Sequence, residues 1–455
     1  MIQHLTIWDA LLTPIYLIVL YIMGSRMRDR RYPPGHPLRK YYLSGLWAKF
    51  GGAIFIGLIY QFYYGGGDTF NFYTHSQVIN SALTNDGVGT WWKLINRTSV
   101  YDAPELNPYI AQLYWYNAPS EYTVAVIGAL LGLFNATTYL PIALLFAILS
   151  YSGVWAMYRT FVSLYPALHK QLAIAFLFVP SVVVWGSGFF KDTLCMFGLG
   201  WLTYTVFRIF RQRDLSLRNL ALLMIGFIVV AKVKLYILMG FLPAVVLWLL
   251  ISYSGKIKTA AVRWLINAGA MAVVAGGFFF FAGLFAEELN KYSLEKIAKT
   301  VKVTQGWTAY AAGEEGSVYD LGSINDDAAS ILAKFPQAVV VTFFRPFPWE
   351  IKKVIVALSG LEALLFIYYT LRIFLGKKSL RTALRDPNAV FCFVFALIFG
   401  FAVGISSGNF GALSRYKIPC LPFYVAGLVI VWGQTQPAVQ LRKSVLHRRP
   451  LQPAM

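Results

Sequence analysis

Eleven apolar runs divide the chain, at approximately residues 5–23, 46–64, 138–157, 172–188, 193–210, 218–231, 235–252, 264–285, 354–375, 389–406 and 418–434. A helix needs about 20 such residues to cross the hydrocarbon core of a bilayer, and fewer where it ends in a protein-lined cavity. This density leaves too little polar surface for a soluble globule, since 58% of residues are hydrophobic, 13% are charged and the mean hydropathy is +0.57. The expectation is an all-α polytopic membrane protein, one membrane domain over residues 1–455 with about 11 transmembrane helices. The stretch 121–134, EYTVAVIGALLGLF, is apolar too. Counting it as a span would put Arg159, His169 and Lys170 outside, so it reads as an interfacial or re-entrant helix.

Formal net charge is +20. In a soluble chain this would suggest nucleic acid; in a membrane chain Lys and Arg first report orientation, because cytoplasmic loops retain them. With the N-terminus outside, 25 of the 40 Lys and Arg fall in the inner segments 24–40, 158–171, 208–218, 253–263, 372–385 and beyond 434, together with Lys49. Only Asp29, Asp214 and Asp386 are acidic there, so the inner side nets +22 and the outer side −2. No nucleic-acid partner is expected. The first run lacks a basic n-region and is followed by basic residues, so it reads as a retained span rather than a cleavable signal. Cys195, Cys392 and Cys420 lie in or beside apolar runs without metal-ligand spacing and read as packing residues.

Two outer segments exceed ordinary connectors, the first at 65–120 and the second at 286–345. In the second, Leu289, Leu294, Ile297 and Val301 recur near helical spacing, and Glu287/Lys291 and Glu295/Lys299 are i,i+4 pairs, which predicts an amphipathic surface helix. The glycine-rich, acidic stretch that follows suits a mobile loop able to order over a substrate, and a plain connector equally.

On this map the polar oddities all fall at outer helix ends. Asp68 and His75 follow the second run; Lys191 and Asp192 sit in GSGFFKDT; Lys232 and Lys234 in AKVKLY; Arg345 and Glu350 in FFRPFPWE; Arg415 and Lys417 in SRYKIPCLPF. Ionisable groups at membrane depth are costly and mark function or mutual pairing. Several cations around a carboxylate suit a phosphate-bearing substrate, which at a bilayer rim is a lipid-linked one. The carboxylate can take a proton from an attacking hydroxyl while cations stabilise the departing phosphate. Plain structural roles stand beside each of these: Asp68 as a helix cap, His75 as packing, Lys191 as a snorkelling residue beside a cap at Asp192, Lys232 and Lys234 as interfacial anchors, Arg345 paired with Glu350, and Arg415 paired with an external acid. Trp91, Trp92, Trp115 and Tyr116 are candidates to stack on sugar rings.

The GGGDTFNFY stretch after an early span, the long first outer loop and the C-terminal SRYKIPCLPFY resemble the GT-C superfamily of integral-membrane glycosyltransferases. The resemblance implies a GT-C-like fold, Asp68 as catalytic base and Arg415 in the donor-binding wall. It also implies an inverting transfer from a polyprenyl-phosphate-linked sugar donor to a glycan or lipid-linked acceptor, at the outer face of a bacterial cytoplasmic membrane. The chain departs from that pattern in having an extra N-terminal span before Asp68. It also lacks an acid beside Asp68 for a divalent cation, leaving Asp86, Asp102 and Glu105 as remote candidates. An oligosaccharide repeat-unit polymerase or ligase, which relies chiefly on outer-loop arginines, and a transporter or lipid flippase are the competing readings. Against the last stands the scarcity of mid-span charge, with Glu362 as the exception.

Overall fold

The computed structural model describes residues 4–254, 317–322, 328–376 and 379–436, together with isolated positions 259, 262, 265, 269, 303, 306 and 310. The expected span at 264–285, the amphipathic helix after 286 and most of the loop that follows lie outside these residues. In chain order the helices are α1 (Ile7–Arg31), α2 (Arg39–Phe62), α3 (Asp68–Asn85), α4 (Gly87–Ile95), α5 (Asn107–Ile110), α6 (Pro119–Gly132), α7 (Tyr139–Leu164), α8 (His169–Leu177), α9 (Pro180–Trp185), α10 (Lys191–Gln212), α11 (Leu217–Lys234) and α12 (Tyr236–Ser254). They continue with α13 (Ala328–Ala333), α14 (Phe335–Phe344), α15 (Val354–Phe374), α16 (Ser379–Arg385), α17 (Pro387–Ser406), α18 (Phe410–Tyr416) and α19 (Leu421–Thr435). Among the described residues there is no strand, only one isolated bridge, Val318 with Asn409.

Seven of these helices, α1, α2, α7, α10, α12, α15 and α17, are long and apolar enough to cross a membrane, so the chain is an all-α, multi-pass membrane protein. An eighth crossing is counted if α18 and α19, which meet at 67°, form one broken span; Pro419 and Pro422 lie at that bend. The expected span 172–188 is instead two short helices, α8 and α9. Pro180 supplies no amide hydrogen and drives Val179 out of helical geometry, so the helix stops and restarts. The run at 218–231 does form a helix, α11, but Arg218, Lys232 and Lys234 occupy its ends.

The described residues fall into two compact units, one from Met1–Phe161 and Val182–Leu235, the other from Val162–Ser181 and Tyr236–Gln452. In the first unit, α1 is anchored by its N-terminus: the Gln61 amide oxygen accepts from the His4 and Leu5 amides at 2.8 and 3.1 Å, and the Asp9 carboxylate accepts from Leu140 N at 2.7 Å. The start of α1 therefore lies beside the end of α2 and the start of α7. Glycines let α7 and α10 touch backbone to backbone. A Cβ on Gly200 would stand 2.1 Å from Gly153 O, and one on Gly153 would stand 2.4 Å from Phe197 O. Such small-residue contacts are a common device for helix association in lipid.

The first outer segment, 65–120, is no open loop. With α6 it folds as a helical cap around its own core of Ile79, Trp91, Leu94, Leu106, Leu113, Tyr122 and Ala129. Polar groups in it are cross-linked. Trp91 Nε1 donates to Asn80 Oδ1 at 3.0 Å, Asn80 Nδ2 to Ala129 O at 2.8 Å, and the Tyr122 hydroxyl to Leu94 O at 2.9 Å. The stretch 121–134 thus packs as α6 on α3. Gly128 is the point of closest approach, where a Cβ would meet Phe189 at 2.1 Å and Ser76 Oγ at 2.5 Å.

In the second unit, Phe391, Phe395 and Phe423 form an aromatic core with Phe241 of α12. Asp386 caps α17, accepting from Asn388 N at 2.9 Å and from the Tyr165 hydroxyl. Within the second outer segment residues 328–345 are described as α13 and α14, and of the expected mobile loop residues 317–322 are pinned: Tyr319 N donates to Gly408 O at 3.2 Å and Phe410 N to Ser317 O at 2.9 Å.

Gly200→Leu forces α7 and α10 apart and is expected to lower stability by about 1–3 kcal/mol or more, read as a drop in melting temperature in detergent. A melting temperature equal to wild type would show that these helices do not touch through Gly153 and Gly200.

Candidate active site

The backbone between α2 and α3 explains where Asp68 points. Gly65, Gly66 and Gly67 have φ of 69°, 148° and 128°, values open to glycine and strained for other residues. Gly67, not Asp68, is the N-cap, and no side chain caps the helix. Asp68 is the first residue of α3, exposed, with its negative charge on the favourable end of the helix dipole. Tyr63 and Tyr64, just before the glycines, and Tyr114 are exposed rings. The Tyr114 hydroxyl is pushed up to about 12, by burial first and by the Asp68 carboxylate second.

The turn carrying Lys191 and Asp192 meets the turn carrying Asp68. Tyr60 packs edge-on to Phe190, 5.4 Å between ring centres, and also fills the space beside Gly67. One helical turn beyond Asp68, Phe72 stacks on Phe189 at 6.1 Å. The 186–190 turn is held from inside by Lys49. Its ammonium donates to Val182 O at 3.0 Å and Gly186 O at 2.8 Å, and the Ser150 hydroxyl donates to Gly186 O at 2.6 Å. Counted by sequence among the inner basic residues, Lys49 is instead 1% exposed in the interior of α2.

Two of the three candidate cations of this unit, Lys191 and Lys234, are paired. Lys191 forms an ion pair with Glu121 and donates to Ser120 Oγ at 2.9 Å. Burial alone would raise the Glu121 carboxyl, but the Lys191 charge and the hydrogen bonds from Lys191 and Ser120 hold it below its ordinary value. Asp192, fully buried, pairs with Lys234. Lys232, two residues earlier on α11, is exposed. Glu121 carried no flag in the sequence reading; the signal was present in one acid opening an otherwise apolar helix.

His75 lies two turns along α3 from Asp68, packed against Tyr114 at 4.5 Å and Trp115 at 5.2 Å. It is fully buried, neither ring nitrogen has a hydrogen-bond partner, and burial lowers its pKa to about 4. Of the ring candidates for sugar stacking, Trp91 and Tyr116 are buried with their polar atoms bonded inside the cap, whereas Trp92 is exposed and Trp115 half-buried. The remote acids do not join Asp68. Asp86 lies at the far end of α3, roughly 27 Å away at 1.5 Å per residue, and accepts from the Tyr109 hydroxyl; Glu105 pairs with Lys93. Among the described residues no three His, Cys, Asp or Glu side chains cluster as a metal site.

The second unit holds the other candidates. Arg345 faces Glu350 as a fork, with Nε 3.0 Å from both carboxylate oxygens, and its guanidinium lies over the rings of Phe410, Tyr319 and Phe347 at 5.4, 5.8 and 6.0 Å. The pairing role expected as the plain alternative is the observed one. Although burial raises the Glu350 carboxyl, Arg345 and the Phe347 amide bring it below its ordinary value. Lys417, placed by sequence on the outer rim, is buried, and its ammonium donates to Thr342 O at 3.1 Å. Arg415 is half-buried in the last turn of α18. Glu362 is buried and accepts from Ser181 N at 2.9 Å, at the start of α9.

Removing one partner of a buried ion pair strands the other charge, so Asp192→Ala is expected to cost about 3–5 kcal/mol. Asp192→Leu combined with Lys234→Met should recover most of it in a double-mutant cycle of melting temperatures. Losses that merely add would refute the coupling. For His75, the folded value lies below the ordinary 6.5, so its contribution to stability is complete above pH 6.5 and is lost as pH falls through about 4. His75→Phe should flatten the stability profile across that window; an unchanged acid slope would place the titrating group elsewhere. Comparison of the chain with models of known protein families, with curated proteins and with solved structures gives no match.

Proposed function

We propose that the chain is a GT-C-like integral-membrane glycosyltransferase of a bacterial cytoplasmic membrane, with about 11 spans, its N-terminus outside and its site on the extracytoplasmic side. It moves a sugar from a polyprenyl-phosphate-linked donor to a glycan or lipid-linked acceptor. The observation that carries the reading is the setting of Asp68: an exposed carboxylate at the first position of a helix, one glycine turn past a membrane helix that ends in exposed Tyr63 and Tyr64, with exposed Tyr114 near enough to feel its charge. A sugar stacks on such rings, and the lipid tail of its carrier remains in the adjoining bilayer.

In the reaction, an acceptor hydroxyl oxygen attacks the sugar's anomeric carbon from the face opposite the phosphate. The new C–O bond forms as the bond to the phosphate oxygen breaks, Asp68 takes the hydroxyl proton, and polyprenyl phosphate departs with the bonding pair. The pairing of Lys191 and Lys234 with acids narrows the list of cations able to meet that phosphate in this unit to exposed Lys232 and to Lys191 if it exchanges Glu121 for substrate. In this role Asp192 and Lys234 are positioning residues, and it is the resemblance alone that assigns Arg415 to the donor wall.

Asp68→Asn should lower transfer from a panel of radiolabelled polyprenyl-phosphate sugars by roughly 10²–10⁴-fold, with the melting temperature unchanged. Equal turnover by wild type and variant removes Asp68 as the base. Retained transfer in Asp68→Asn together with loss in Arg345→Ala or Arg415→Ala would favour the polymerase chemistry.

A further inference from the structure

A partly open groove of about 510 Å³ runs between α1, α2, α7, α10 and α11, all within the first unit. Its wall is apolar, formed chiefly by Leu20, Met23, Met27, Leu46, Trp155 and Trp201. Three arginines line it as well, Arg31, Arg159 and Arg218. Arg31 is the last residue of α1 and Arg218 the second of α11. This is the other end of the unit from Asp68, because α1 begins beside the end of α2 and its 25 residues carry it roughly 36 Å away at 1.5 Å per residue.

The arginines are not committed to acids of the chain. Of the nearby carboxylates, Asp29 is paired with Arg28 and Arg39, and Asp214 with Arg208. Among the described residues Arg31, Arg159 and Arg218 form no ion pair, and Arg159 makes only a face contact with the Tyr204 ring at 5.5 Å. The polar atoms of the aromatic wall are also engaged: Trp155 Nε1 donates to the Tyr32 hydroxyl at 2.8 Å, Trp201 Nε1 to Ser152 Oγ at 3.1 Å, and the Tyr151 hydroxyl to Tyr42 O. Their polar atoms are thus engaged within the chain, while the three arginines have no acid partner among the described residues. An apolar slot whose lining includes three arginines without an acid partner is complementary to one class of molecule in a bilayer, an amphiphile with an anionic phosphate head and hydrocarbon chains.

We propose that this groove binds one anionic phospholipid, with its phosphate on Arg31, Arg159 and Arg218 and an acyl chain along α1 and α7. The occupied groove joins α1, the least enclosed of the spanning helices, to α7 and α11. Lipid binding therefore stabilises the unit and is separate from the chemistry at Asp68.

The test uses the full chain, delipidated in a neutral maltoside detergent, with phosphatidylglycerol, phosphatidylcholine or inorganic phosphate added in parallel. The proposal expects native mass spectrometry to retain one phosphatidylglycerol per chain and the melting temperature to rise by several degrees, with no rise from phosphatidylcholine. Arg31→Gln/Arg159→Gln/Arg218→Gln should weaken retention at least tenfold. Should that variant fail to fold, Ala221→Trp, which fills the groove and leaves every charge in place, should do the same. Equal retention of phosphatidylcholine, full stabilisation by inorganic phosphate alone, or undiminished retention in a folded variant would each overturn it.

Discussion

An ammonium in the interior of a membrane helix holds the first unit's end in shape. Among the described residues Lys49 pairs with no acid, and its ammonium donates to two backbone carbonyls, Val182 and Gly186, where α9 ends. Val182 O also accepts from Gly186 N at 3.2 Å and Gly186 O from the Ser150 hydroxyl; carbonyls at a helix end carry the negative end of the helix dipole, so the cation and the helix terminus stabilise one another where water is absent. The consequence propagates outward. The fixed turn presents Phe189 and Phe190 to α3 and Tyr60, then places Lys191 and Asp192 at the start of α10, within reach of Glu121 and Lys234.

Among the candidate site residues, pairing is the common arrangement of charge. Lys191 with Glu121, Lys234 with Asp192 and Arg345 with Glu350 each bring a cation and an acid together from positions that hydropathy marks only as interruptions. A rim of bare cations awaiting phosphate would repel itself and lose solvation; a rim of pairs is stable empty and can exchange one partner for a ligand. This moves the chemical interest from the number of cations to Asp68, which is exposed at the first position of α3.

Much of the architecture was legible because lipid imposes a length requirement that composition alone meets: the runs at 5–23, 46–64, 138–157, 193–210, 235–252, 354–375 and 389–406 coincide with α1, α2, α7, α10, α12, α15 and α17. The break at Pro180 was visible as a residue but was averaged away by the apolar residues around it. The cap over 65–120 was hidden for a different reason. Its core joins residues far apart in sequence, such as Trp91 with Asn80 and Tyr122 with Leu94, and no local period announces such contacts. Lys49 was misplaced likewise, since its acceptors lie more than 130 residues away. At the candidate site Asp68 and the Lys191 turn were found from residue type and position; their neighbours Glu121 and Tyr114 emerge only from packing.

The cap has a bearing on how genetic data for this chain would read. Because 65–120 folds around its own core, most inactivating substitutions recovered there will strike residues such as Trp91, Leu94, Leu106 and Tyr122, which meet no substrate and act through abundance. Variation at exposed Asp68, Trp92 and Tyr114 is the informative minority, separable from the rest by measuring how much protein reaches the membrane.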